Sequence, residues 1–187
     1  MAWMLAGPSA LAGTGEHSLK ELVGELEDVA TEKADPVLES VAGEWAGKIK
    51  ELGREARNNP EVEKYLESAL QNILGDDAPA AMDALAKLGN LKVTDEQLGL
   101  VKEVVNLGGA FLTQENFAGL EGAESDVSRI VSALRKGDYM AAIEPLKAIA
   151  GRASLTDEQE QLVQTMLETY VPGAGQAKEL LKKIPGF

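Results

Sequence analysis

At 187 residues the chain suits one domain, or two small ones sharing a core, and its 44% hydrophobic and 26% charged residues are ordinary globular usage. A formal net charge of −13 repels phosphate backbones and anionic lipid headgroups, which argues against nucleic-acid binding and against docking by charge on a membrane. The chain has no cysteine, so disulfides, thiol catalysis and Cys-based zinc sites are excluded.

Residues 1–17 form an apolar N-terminal segment that is too short to span a bilayer. Within it, Ala10-Leu11-Ala12 has the small-x-small form of a signal-peptidase site, with cleavage before Gly13. No Lys or Arg precedes the site to make an n-region. Three readings stay open: the remnant of an export signal, an arm that docks on a partner or on the chain's own core, or disorder. The first places the protein in the periplasm or outside the cell; the alternative is the cytoplasm.

From Ser18 onward the signals are helical, and residues 18–187 read as a single all-α domain of eight or nine short helices. Ser18-Leu19-Lys20-Glu21 is a capping box, followed by Leu19, Leu22, Val23, Leu26 and Val29 at helical spacing. Asp35-Pro36 ends that helix and opens a second. Its stripe is Leu38, Val41, Trp45, Ile49 and Leu52, which gives Trp45 a core role. Asn59-Pro60 opens a third, with Val62, Leu66, Ala69, Leu70 and Ile73 on one face, and Gly75-Asp76-Asp77 closes it. A fourth spans about 79–88 and stops at Gly89-Asn90. Thr94-Asp95-Glu96-Gln97 caps a fifth, which Gly108-Gly109 is expected to bend or end. Residues 113–123 then read as a loop, with one turn of helix around Phe117, and as the boundary between two halves. Helix resumes with Val127, Ile130, Val131 and Leu134, again with Ile143, Leu146 and Ile149, and again after Thr156-Asp157-Glu158-Gln159. A last short helix carries Leu180, Leu181 and Ile184.

Thr-Asp-Glu-Gln occurs twice, 62 residues apart, and apolar positions around it recur at an offset of 61 or 62. Leu85 matches Leu146, Leu88 matches Ile149, Val101 matches Val163, and Asp77 matches Asp138. We read these as a duplicated three-helix unit, about 66–112 and 124–171, with the first two helices added on. Its length lies outside the usual solenoid repeats.

The turn Leu134-Arg135-Lys136-Gly137-Asp138-Tyr139, followed by Ala141-Ala142-Ile143, resembles the inter-helix turn of tetratricopeptide repeats. The resemblance covers about two helices around Gly137-Asp138-Tyr139 and implies a peptide-binding role. The earlier copy, Asp76-Asp77-Ala78-Pro79, departs from the pattern in lacking the aromatic.

Catalytic and metal-binding patterns do not emerge. His17 is the only histidine, which argues against structural zinc and di-iron sites. The acidic run Glu25, Glu27, Asp28 and Glu32 lacks the spacing of a calcium loop and suits a solvated helix face. Asp95, Glu96, Asp157 and Glu158 suit the positive ends of their helices. Lys178, Lys182 and Lys183 suit the negative end of the last. Gly108-Gly109 and Gly173-Ala174-Gly175 lack the Lys and Ser/Thr of a phosphate loop. The sequence therefore points to no catalytic residue, no metal ligand and no cofactor. It fits a non-catalytic interaction or scaffold protein with a protein partner, a subunit of an envelope or secreted assembly. The alternative is a carrier for an apolar small ligand in the bundle's interior.

Overall fold

A computed structural model describes residues 18–171, which form eight helices and no strand. They are α1 (Leu19–Glu32), α2 (Pro36–Glu55), α3 (Pro60–Leu74), α4 (Ala78–Gly89), α5 (Asp95–Phe117), α6 (Glu124–Arg135), α7 (Tyr139–Ala150) and α8 (Asp157–Tyr170). The apolar N-terminal segment with His17 and Trp3, and the last expected helix with Lys178, Lys182 and Lys183, lie outside the described residues.

Local chemistry sets most helix starts. The Glu21 carboxylate accepts the Ser18 amide at 2.9 Å. Asp35 accepts the amides of Val37 and Leu38 at 2.8 and 3.1 Å, with Pro36 supplying a first turn that needs no donor. Thr94 with Gln97 and Thr156 with Gln159 both form reciprocal capping boxes. No helix among the described residues is long and apolar enough to cross a membrane.

The helices wrap around α5. That helix packs against α2, α4, α6 and α8; α3 pairs with α4, α6 with α7, and α1 lies across α2 and α3. One apolar cluster runs through the described residues, with Trp45 and Phe111 fully buried and their ring centroids 5.6 Å apart.

The structure corrects two expectations about α5. Gly108-Gly109 does not end it, and helix continues without a break through the expected turn at Phe117, so the loop between the halves is confined to 118–123. The reason is tertiary. Residues 104–113 of this helix are all buried, so no solvent face produces the amphipathic period that would have signalled a helix. The Thr113 hydroxyl donates back to Gly109 O at 2.7 Å and needs no loop to satisfy it. The short loop is clamped from α7's far end: Arg152 donates to the carbonyls of Glu121 and Gly122 and pairs with Asp126 at 3.2 Å.

The runs α3–α5 and α6–α8 share local details. Helices α4 and α7 are both 12 residues long, and Asp77 and Asp138 cap them by accepting from Ala80 and Ala141. The turns before them are the same Schellman motif. Asp77 N donates to Asn72 O and Asp138 N to Ala133 O, at 2.8 and 2.9 Å. Asp76 N donates to Ile73 O and Gly137 N to Leu134 O, at 3.1 and 2.9 Å. The left-handed position is Gly137 in one turn (φ 72) but Asp76 in the other (φ 57). An L side chain is strained there, and glycine is not. Asp76→Gly is therefore expected to raise stability by about 0.5–1 kcal/mol, read from the urea midpoint. A fall in the midpoint would show that the Asp76 side chain supports its turn.

Each Gln of the two capping boxes also makes a tertiary contact. Gln97 Nε2 donates to Glu55 O at 3.0 Å and Gln159 Nε2 to Asn116 O at 2.7 Å. Each box thus binds the last turn of the helix that precedes its own three-helix run.

Candidate functional site

Helices α2 and α6 flank α5 and meet each other through Arg135, which donates to Ser40 Oγ at 3.2 Å and pairs with Glu44. Either side of this bridge is an open groove. The one nearer the start of α2, about 740 Å³, is lined by Val37, Gln114, Ala118, Val127 and Ser132 among others. The other, about 670 Å³, runs along Gly43, Gly47 and Glu51 of α2, over Asn106 and Leu107 of α5, to Lys136 and Gly137. Volumes of this order suit a small ligand or a short segment of chain.

The second groove owes its width to α2. A Cβ placed on Gly43 or Gly47 would meet nothing within 4 Å. A helix-interior glycine costs about 1 kcal/mol relative to alanine, so nothing in the packing of α2 calls for glycine at these positions. What they do provide is a bare wall along one turn of helix.

The floor holds an unmatched polar group. The Asn106 side chain is only 9% exposed and makes no hydrogen bond among the described residues. Its carboxamide offers an acceptor and two donors in one plane, the complement of a peptide unit's N–H and C=O.

Charge is divided along the groove. At one end Lys48 bridges Glu103 at 2.7 Å and Glu51 at 3.1 Å, leaving a local excess of one negative charge. The hydrogen bonds it donates to Glu103 and Glu51 hold the Lys48 ammonium above its ordinary pKa. At the other end Lys136 makes no ion pair among the described residues. Behind Gln114 of the first groove, burial pushes the Asp35 carboxyl up. The bonds it accepts from Gln114, Leu38 and Val37 outweigh that, and its pKa falls below the ordinary value.

The residues weighed from sequence lie elsewhere. Glu25, Asp28, Asp95, Glu96, Asp157 and Glu158 are exposed, and Glu27 pairs with Lys50 at 3.3 Å on the outer side of α1 and α2. Trp45 is in the core, as its stripe implied. Among the described residues no three His, Asp or Glu side chains gather as metal ligands would. Sequence reading passed over Gly43, Gly47 and Asn106. Two signals were present: a Gly-x-x-x-Gly away from any helix end, and an Asn within the apolar run Val104 to Leu107.

Exposed apolar side chains mark one further place. Tyr139 and Met140, 40% and 55% exposed, stand at the start of α7, where Tyr139 stacks on Tyr170. The Tyr170 ring is buried, its hydroxyl donates to Val105 O at 3.1 Å, and burial pushes its pKa well above the ordinary value. No family model, curated protein or solved structure matches this chain, so the function must be argued from the groove itself.

Proposed function

We propose that the chain is a non-catalytic interaction protein whose groove between α2, α5 and α6 holds a segment of polypeptide. The carrying observation is the Asn106 carboxamide, which lines the groove floor and makes no hydrogen bond among the described residues. A docked peptide unit would satisfy it, and Gly43 and Gly47 leave room for close approach of a second backbone. The tetratricopeptide-like turn at Gly137-Asp138-Tyr139 supports the same reading, since that resemblance implies peptide binding. We read α3–α5 and α6–α8 as copies of one unit, with the groove opening where the second copy meets α2. The cleavage-like Ala10-Leu11-Ala12 supports placing the protein in an envelope or secreted assembly. A basic partner would suit the net charge of −13.

The test fills the groove. Gly43→Leu/Gly47→Leu should leave helicity unchanged, because both Cβ positions are open. Native mass spectrometry of the protein purified from its source should then show a polypeptide mass held by the wild type and lost by the variant. A retained small apolar mass would favour the carrier reading instead. A polypeptide held equally by both proteins would remove the groove from the function.

A further inference from the structure

We infer that the polypeptide held in this groove is the α2 helix of a second copy of the chain, antiparallel about a two-fold axis beside Gly47, so that each copy's Lys136 meets the partner's Glu51. The inference rests on the groove reading above and gives it an occupant. Three observations carry it.

The first is a pair of donors at one end of the groove. Among the described residues Lys136 makes no ion pair, and the Asn106 side chain, only 9% exposed, makes no hydrogen bond. The Asn106 amide nitrogen lies towards the Lys136–Gly137 end, since a Cβ placed on Gly137 would stand 3.9 Å from Nδ2. An ammonium and an amide N–H at the same end suit a carboxylate.

The second is the order of charges. The groove is lined by three carboxylates, Glu44, Glu51 and Glu103, and three cations, Lys48, Arg135 and Lys136. Arg135 offsets Glu44, which leaves one positive charge in excess at the Gly137 end. Lys48 offsets only one of Glu51 and Glu103, which leaves one negative charge in excess at the far end. The Asp138 carboxylate, next in the chain to Gly137, accepts from Ala141 N at 3.2 Å, and the positive end of α7 offsets it. Lys50 of α2 pairs with Glu27 of α1, and Glu39 stands on that same face of α2, eleven residues or about three turns away.

A neutral groove with oppositely charged ends is its own complement when reversed. An antiparallel copy brings the partner's Glu51 to Lys136 and Asn106, and by symmetry the partner's Lys136 to Glu51. A parallel copy would set Lys136 against Lys136 and Glu51 against Glu51. The net charge of −13 opposes association at long range, but salt at about 0.15 M screens it beyond about 8 Å, so the contact charges decide.

The third is the bare wall of α2. Arg135 fixes the Lys136 end of the groove at Glu44, and Glu51 lies seven residues further on, about 10 Å along the helix. A copy paired 44 against 51 has its two-fold axis beside Gly47. No side chain keeps the two α2 backbones apart there, because Gly43 and Gly47 face open space.

Sedimentation of the full chain over a range of concentrations should show a monomer–dimer equilibrium. Lys136→Glu and Glu51→Lys should each weaken dimerisation at least about hundredfold, since each sets like charges together twice per dimer. An equal mixture of the two variants should dimerise again, because both contacts across the axis then join opposite charges. Recovery in the mixture also shows that both variants are folded. Gly43→Leu/Gly47→Leu should dimerise no better than either charge variant. A wild-type chain that stays monomeric overturns the inference. So does a dimer that neither the charge reversals nor the leucines disturb, or a mixture that does not recover. A monomer that still holds some other polypeptide, lost when leucines fill the groove, would leave the groove reading intact and remove only the second copy.

Discussion

Gly109→Ala should cost about 3 kcal/mol of stability, although alanine is the better helix former. A Cβ at this position would stand 2.1 Å from Tyr170 Oη, 3.1 Å from Tyr170 Cζ and 3.3 Å from Leu134 Cδ1. Tyr170 cannot swing away freely, because its ring is buried and its hydroxyl is tied to Val105 O. Displacing it breaks that bond and leaves a phenol buried without a partner, a loss of about 1–3 kcal/mol added to the overpacking itself. The same helix supplies a control. A Cβ on Gly99 meets nothing within 4 Å, so Gly99→Ala should stabilise the protein by about 0.5–1 kcal/mol. Urea unfolding of the two variants should move the midpoint in opposite directions. In Gly109→Ala/Tyr170→Phe the offending oxygen is gone, and the double variant should recover part of the loss, a positive coupling between neighbours. If Gly109→Ala gained stability as Gly99→Ala does, α8 could not lie as close to α5 as described.

Trp45→Ala should be the most damaging change in α2, at about 3–5 kcal/mol. The indole is fully buried, 5.6 Å from the Phe111 ring, and its edge lies against Gly108, where an added Cβ would stand 2.8 Å from Cζ2. Truncation would open a cavity between α2, α4 and α5. Trp45→Phe should cost far less than its lost volume suggests, about 1–2 kcal/mol. The indole Nε1 is buried with no hydrogen-bond partner, and phenylalanine removes that unsatisfied donor along with the extra ring. Chemical denaturation of both variants separates the two effects. A phenylalanine variant as unstable as the alanine variant would show that the second ring, and not the aromatic contact with Phe111, holds these helices together.

Capped helix beginnings were the most legible features, because each is set by chemistry within four residues, whereas α6 starts after Ala123 with no side-chain cap. Asp35-Pro36, Asn59-Pro60, Thr94-Asp95-Glu96-Gln97 and Thr156-Asp157-Glu158-Gln159 all stand where helices start. Buried stripes were legible where a helix has one wet side, as along Leu38, Val41, Trp45, Ile49 and Leu52 of α2. The groove was scarcely legible. Gly43 and Gly47 lie off the apolar stripe of α2 and Asn106 sits among Val104, Val105 and Leu107, and none of the three marks a groove until α6 stands across from α2.

Residues near one another in the chain thus determined the all-helical class, the helix starts and the Asp77 and Asp138 turns, because caps and turns are satisfied by neighbours within one turn. The course of α5 belonged to the tertiary structure. Along residues 104–113, among α2, α4, α6 and α8, it has no wet face to impose a period, and its Gly108-Gly109 pair, which resembles a helix stop, is where Trp45 and Tyr170 pack against it. The same holds for the groove. Its width depends on the side chains that α2 lacks opposite α6, a relation between residues about 90 positions apart, such as Glu44 and Arg135, which only packing brings together.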